Sequence, residues 1–434
     1  MKKLTSIFVI LLLALPARAI EIDAPGAVAL ALENSEELKA ADNAVVQAKL
    51  NRAIARTAYM PKFAGSATTG WMLPDTKYEQ MAMTMRMRGV YMAGINLQQP
   101  IFAGGKIVAA NRLAGIGMDA AAQQRRQKEI AVRADAETSY WTYVAVLAKV
   151  EMMKSYRALV DTALTQTSAS VEAGMATRND LLRIEARAAQ VRYQQEQVES
   201  GADLCRMALC NSLGLPLDTP ITPADSTVTA EIPPQLERYS LDERPEMKLL
   251  QADIDSKRQQ VRITRADFLP TLGLQAGWSA YGNARINTMA QGPDGNYYPM
   301  TQDIKSNGWN IMLSLQVPLF HWLEGAKKVK AARIDVETAE LNRDHNARLL
   351  DLQVRQAISN VRTGQGLVES AGAALTQAEA ALASTVERHR AGMSPITDLL
   401  DAQSQWQTAR ADLIEARTQL RIHVIDYLAA TARL

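Results

Sequence analysis

The feature that most constrains this chain is a change of period that it makes twice. In Asn307–Phe320, residues Trp309, Ile311, Leu313, Leu315 and Val317 alternate with Asn310, Met312, Ser314 and Gln316. That alternation is the period-2 signature of a strand with one apolar face. Pro318 closes it, and from Ala326 the chain is rich in Ala, Lys, Arg and Glu and reads as helix for tens of residues. Gly94–Phe102 makes the same switch. Ile95 and Leu97 alternate with Asn96 and Gln98, Pro100 is expected to stop the strand, and a long helical stretch follows. Pro100 and Pro318 lie 218 residues apart, and the same offset relates Gly174 to Gly392 and Leu181-Leu182 to Leu399-Leu400. Several markers sharing one offset indicate a duplicated unit.

The first copy opens with a helix over Ala24–Tyr59, ended by Pro61. A strand is expected over Phe63–Trp71, a loop over Pro74–Gly89 and a second strand over Val90–Gln99. Ala103 to about Ala173 contains no proline and reads as one helix, which at about 1.5 Å per residue extends on the order of 100 Å. Gly174 breaks it, and a second helix runs from about Thr177 to Leu213, with Gly214 and Pro216 as its stop. Pro216–Tyr239 is a Pro-rich linker. The second copy repeats the plan: a helix over Arg244–Phe268, a strand over Thr271–Tyr281, a long loop over Gly282–Asn307, the strand described first, a long helix to about Arg390, a break at Gly392 and a last helix. Pro61 and Pro270 are offset by only 209, which assigns nine extra residues to loop Gly282–Asn307.

In the last helix, Leu399, Trp406, Leu413, Leu420 and Tyr427 recur every seven residues, with Ala402, Ala409 and Ala416 beside them. Ile184, Val191, Val198 and Cys205 form a similar seam in the first copy. Both are coiled-coil heptads. Cys205 therefore reads as core filler, and Cys210, five residues on in the same helix, points elsewhere, so no disulfide is expected between them.

Residues 1–19 read as a secretory signal peptide: Lys2 and Lys3, an apolar run Ile7–Leu15, then Ala17-Arg18-Ala19, with cleavage before Ile20. No Cys follows the site, so no lipoprotein anchor is expected there. The remaining chain has 45 basic and 46 acidic residues, which gives no sign of a nucleic-acid partner. No later apolar run reaches the roughly 20 residues of a membrane helix, which leaves a soluble protein or a β-barrel. The four histidines (His321, His345, His389, His423) show no metal spacing, and no phosphate loop or nucleophile elbow is present, so neither an enzyme nor a cofactor is expected.

A signal peptide, two helix–strand–strand–helix–helix copies and a Gly-x5-Asp-Leu-Leu break at each helical tip together resemble the TolC family of outer-membrane efflux channels. The resemblance covers essentially the whole mature chain. It implies a mostly α, α+β fold: long coiled-coil helices forming a trimeric periplasmic α-barrel, and four strands per chain in a shared twelve-stranded outer-membrane β-barrel. The copies would then be residues 20–215 and 241–434, joined by an equatorial linker at 216–240. Four strands in one chain cannot close a barrel, and lipid does not tolerate open edges, so oligomerisation is required independently. Strand alternation assigns Leu272, Leu274, Trp278, Trp309, Ile311 and Leu313 to the lipid face.

The resemblance also implies partners: two further copies as a homotrimer, a periplasmic adaptor, and an inner-membrane pump of RND, ABC or MFS type. It places acidic residues at the periplasmic aperture, here Asp398 and Asp401, with Asp180 in the first copy, where Arg183 stands at the second position. Asp180 also fits a capping box with Thr177, and Ser394-Pro395 a helix start. The family's latch residues, a Tyr and an Arg around the second tip glycine, are replaced by His389 and Ser394, which suggests a pH-sensitive latch between His389 and Asp180. Tips Gly174, Leu181, Leu182 and Gly392, Leu399, Leu400 resemble the adaptor-docking ends, or are ordinary helix turns. Met81, Met83, Met85 and Met87 read either as a thioether site for Cu(I) or Ag(I) or, continuing the parity of Tyr91, Ile95 and Leu97, as an apolar hairpin face. The competing expectation for the whole chain is a non-conducting exported trimeric coiled-coil spacer or adhesin. The cargo is not legible.

Overall fold

The computed structural model describes residues 20–434, so the signal-peptide expectation falls outside the described residues. The chain forms two compact units. One, the helical unit, comprises the chain to Ala44, Ala122–Leu249 and Asp344–Leu434; the other, the sheet unit, comprises Val45–Ala121 and Leu250–Arg343.

In chain order the elements are β1 (Ile20–Ile22), α1 (Ala24–Asn34), α2 (Glu36–Thr57), β2 (Lys62–Trp71), β3 (Thr76–Tyr78), β4 (Met83–Arg86), β5 (Arg88–Ala103), α3 (Lys106–Glu172), α4 (Arg178–Ser212), β6 (Ile221–Pro223), α5 (Pro245–Ala266), β7 (Thr271–Gln291), β8 (Tyr297–Gln316), α6 (Glu324–Arg390) and α7 (Ile396–Ala430). The two long helices, α3 and α6, have 67 residues each, and α4 and α7 have 35 each. The helix expected over Ala24–Tyr59 is split at Ser35, whose hydroxyl accepts the Leu38 amide and caps the second piece.

The helical unit is held by three apolar clusters. The heptad seam of α7 is buried along its full length: Leu399, Trp406, Leu413, Leu420 and Tyr427 are all core. In α4, Ile184 and Val191 are buried in the same cluster as Leu399 and Trp406. Cys210 is buried, Cys205 is half-buried, and both are free thiols. The linker contributes only β6, which pairs in parallel with β1. Tyr140 fixes that pair by donating to the Asp225 carboxylate (2.7 Å) and the Ile22 carbonyl (3.2 Å).

In the sheet unit, β7 is central. One edge carries β5 and, further along, β4; the other carries β8. β2 pairs with β5, and β3 pairs with β4. Among the described residues the outer edges of β2 and β8 have no strand partner.

Three of the expected elements differ in the structure. The first concerns Pro100, which does not stop its strand; β5 runs on to Ala103 through a bulge between Pro100 and Phe102. A bulge removes the ladder hydrogen bond that proline cannot donate. The second concerns Gly282–Asn307, which is no loop. β7 continues to Gln291 and β8 starts at Tyr297, so the turn is only Gly292–Asn296. Gly282 and Asn283 mark a register shift between Tyr281 and Ala284, with Asn283 at φ 65. Its side-chain amide donates to the carbonyls of Arg88 and Gly89, replacing strand hydrogen bonds lost at the shift. Likewise, the expected loop Pro74–Gly89 contains the β3–β4 hairpin.

Candidate functional site

Directly paired residues in an antiparallel ladder present their side chains on one face. The register therefore aligns Phe63, Leu97, Ala276 and Ile311 in one row, and Ile95, Trp278 and Trp309 in the next. Leu274 and Leu313 continue that face, as do Leu272 and Leu315. The opposite face carries Asn96, Gly277 and Asn310 in one row and Gln98, Gln275 and Met312 in another. Trp309 and Ile311 are 83% and 80% exposed. A contiguous apolar face of this kind is what membrane or partner contact requires.

Met81, Met83 and Met85 fall in the β3–β4 hairpin and its turn, and Met87 lies between β4 and β5. Met83 pairs with Tyr78, and Met85 lies between Thr76 and Ile286. Met81 sits in a short 3-10 turn and is exposed.

The helical tips lie in the helical unit. At each, the chain reverses through a glycine in the left-handed region, Gly174 at φ 74 and Gly392 at φ 71. The amides of Met175 and Met393 reach back to the carbonyls of Ser170 and Arg388, closing a Schellman-type cap. Thr177 then starts α4. Its hydroxyl accepts from the Asp180 amide, its own amide donates to Asp180 Oδ2 (3.2 Å), and the hydroxyl proton also goes to Oδ2 (2.7 Å). These bonds from Thr177 hold the Asp180 carboxyl below its ordinary value, with smaller contributions from Arg183 and His389. Asp398 receives only the Ser394 hydroxyl (3.0 Å) and is otherwise exposed, as is Asp401.

His389 Nδ1 lies 2.9 Å from the Ser394 carbonyl. A carbonyl only accepts, so that nitrogen carries a proton. Both tips line one groove of about 620 Å³ that includes Asp180, His389, Met175 and Met393. The two leucine pairs behave differently. Leu399 and Leu400 are buried in the helical core, whereas Leu181 is half-buried and Leu182 exposed. Direct contact by Leu399 or Leu400 with another protein would require unpacking the core.

Sequence reasoning missed the segment between β8 and α6. Leu319, Phe320, Trp322 and Leu323 are all exposed, Leu319 to 90%. The apolar run Val317–Leu323 was visible, but it was read only as the end of a strand.

A family model described as "Outer membrane efflux protein" matches residues 27–215 and 238–432, and the chain belongs to that family. Protein CyaE of Bordetella pertussis is 26% identical over 398 residues, covering 88% of this chain and 78% of its own. The alkaline protease secretion protein AprF of Pseudomonas aeruginosa is 24% identical over 425 residues, covering 93% and 82%. Among solved structures, the outer membrane protein VceC of Vibrio cholerae matches with a TM-score of 0.77 at 18% identity, over 94% of this chain and 96% of its own. The resemblance to TolC seen in the sequence therefore holds. The protein is a non-enzymatic outer-membrane efflux channel of Gram-negative type, and the spacer or adhesin reading is set aside. Among the described residues no helix is long and apolar enough to cross a membrane.

Proposed function

We propose that three copies of this chain seal one pore, each contributing β2, β5, β7 and β8 to a twelve-stranded barrel. The observation that carries this reading is the sheet with an apolar face and two unpartnered edges. Unpaired backbone groups in hydrocarbon cost several kcal/mol each, so β2 of one copy and β8 of the next are the natural partners. The face bearing Leu272, Leu274, Trp278, Trp309, Ile311 and Leu313 meets lipid, and the Asn/Gln/Gly face lines the pore. The helices continue the conduit through the periplasm.

At the tips, Asp398 and Asp401 repeat in three copies as rings of carboxylates that favour cations, with Asp180 a weaker contributor because Thr177 holds it. The exposed Met175, Leu182 and Met393 are the surface offered to a periplasmic adaptor, and energy comes from an inner-membrane pump. Similarity to a protein named for alkaline protease secretion, over 93% of this chain, favours a polypeptide cargo. The Met81–Met87 stretch serves as hairpin packing rather than as a Cu(I) or Ag(I) site, since Met85 is built into a ladder with Ile286.

Planar-bilayer recordings test the conduit. The protein should form cation-selective channels, and Asp398→Asn with Asp401→Asn should lower cation preference more than Asp180→Asn does. Absence of conductance from a folded trimer would refute the pore. Crosslinking from Gly174→Cys and Gly392→Cys in cells should capture the adaptor, and the pump associated with it identifies the cargo class.

A further inference from the structure

The four junctions between long strands and helices in the sheet unit lie at one end of the sheet. The register fixes this: Lys62 opposite Gln98, Ala103 opposite Thr271, and Thr271 opposite Gln316. Basic residues collect at that end. Lys106 and Lys328 are neutralised by Asp267 (2.7 Å) and Glu324 (2.6 Å). Arg56, Lys62, Arg265, Lys327 and Lys330 are exposed and, among the described residues, make no ion pair. Both carboxylates of the junctions are already taken, so the surplus charge is uncompensated.

Beside this charge lies the exposed apolar segment. Phe320 and Trp322 stack edge-to-face at 5.0 Å, and Trp322 is 83% exposed. Trp322 and Leu323 sit consecutively in the left-handed region, at φ 50 and 62. Two adjacent non-glycine residues there cost on the order of 1–2 kcal/mol each. The strain holds large apolar side chains out in solvent, the reverse of what a water-exposed turn would select. Lys327 follows Leu323 by one helical turn, and Lys330 shares its face. Apolar wedge and free ammonium groups thus sit within about two helical turns of each other, the arrangement that places side chains at a membrane–water interface.

We propose that this junction is a binding site for anionic phospholipid headgroups, with Lys327 and Lys330 as the principal contacts and Phe320 and Trp322 as the wedge beneath the headgroup. The proposal rests on the reading that the sheet lies in a bilayer. It adds a selection among lipids: the leaflet on the helical side is enriched locally in anionic lipid around each copy. Lys328 is held over the Phe268 ring (5.9 Å) by its bond to Glu324 and plays a supporting part. A negative lipid phosphate fits the charge, whereas a zwitterionic headgroup leaves it uncompensated.

The test uses the full-length protein in nanodiscs containing brominated phosphatidylglycerol or brominated phosphatidylcholine. The Trp322 signal is taken as the difference between the native protein and Trp322→Phe, and that of Trp309 from Trp309→Phe. Trp309 should be quenched by both lipids and Trp322 preferentially by phosphatidylglycerol. Replacing Lys327→Gln and Lys330→Gln should reduce that preference roughly fivefold per lysine, and high salt should do the same. Lys327→Arg with Lys330→Arg should retain it, which separates charge recognition from a folding defect. Equal quenching of Trp322 by the two lipids would overturn the headgroup site while leaving the sheet in the bilayer. Failure of either lipid to quench Trp309 would overturn the bilayer reading itself, and the site with it.

Discussion

The two helical tips carry the same Gly-x5-Asp-Leu-Leu pattern, yet they are built differently. At the first, the acidic residue is consumed by the helix: the Asp180 carboxylate accepts two bonds from Thr177, and the Asp180 amide donates a third to the Thr177 hydroxyl. At the second, Pro395 occupies the cap position and supplies no side-chain cap, leaving Asp398 with one bond from Ser394. The leucines trade roles in the opposite sense. Leu400 is 8% exposed and part of the core, whereas its counterpart Leu182 is 53% exposed. The first tip thus fixes its carboxylate and presents its leucine; the second buries its leucine and leaves its carboxylate free. The tips share the turn and differ in how its neighbours are used.

The largest test of this asymmetry is the leucine pair. Leu400→Ala should destabilise the protein by about 2–4 kcal/mol, because it removes buried atoms from a packed core. Leu182→Ala should cost less than about 0.5 kcal/mol. Urea titration followed by far-UV circular dichroism compares the two. Equal costs would erase the distinction between a core leucine and a surface one.

Next come the glycines, where the tips should behave alike. A Cβ at Gly174 or Gly392 would meet nothing within 4 Å, so only the left-handed backbone resists substitution. Gly174→Ala and Gly392→Ala should each cost about 1–2 kcal/mol by the same measurement. A much larger cost at one of them would reveal packing that the shared turn geometry does not contain.

How much of this was legible in the sequence depends on the physical signal. The α7 seam was readable because its period of seven maps directly onto one buried face. The tip glycines were readable because only glycine takes the left-handed position cheaply. The identity of the Leu-Leu pairs as docking or core was not, since both copies carry the same dipeptide and the flanking packing decides. The Gly282–Asn283 pair was misread because a bulge and a loop use the same residues; only the pairing of Ala284 with Ile304 beyond it tells them apart. Asp180 was correctly weighed as a capping residue from Thr177-x-x-Asp180 alone, and the hydrogen bonds realise that pattern.

The capping box yields the next prediction. Thr177→Ala should cost about 1 kcal/mol, whereas Ser394→Ala, which removes no helix cap, should cost less. The difference depends on pH with a definite sign. The Asp180 carboxyl is held below its ordinary value of 3.8, so its stabilisation is fully present above that value. It is lost as the pH falls through the lowered folded value. Thr177→Ala should therefore flatten the acid limb of the stability profile, and Ser394→Ala should leave the Asp180 share of it in place. Carboxyl NMR titration of Asp180 gives the same answer independently: the native residue should titrate below its counterpart in the Thr177→Ala variant.

The smallest expected effect belongs to His389, which lines the groove between the two tips. Its Nδ1 proton goes to the Ser394 carbonyl. It lines the same groove as Asp180 and contributes to lowering that carboxyl. We propose that the two residues form a latch across this groove whose closure depends on pH. Single-channel conductance of the native protein should differ between about pH 5 and pH 8. His389→Ala should remove the pH dependence while changing stability by less than about 0.5 kcal/mol. An identical conductance profile in native and variant channels would show that the tips are joined by packing alone, and that the histidine serves only to cap the Ser394 carbonyl.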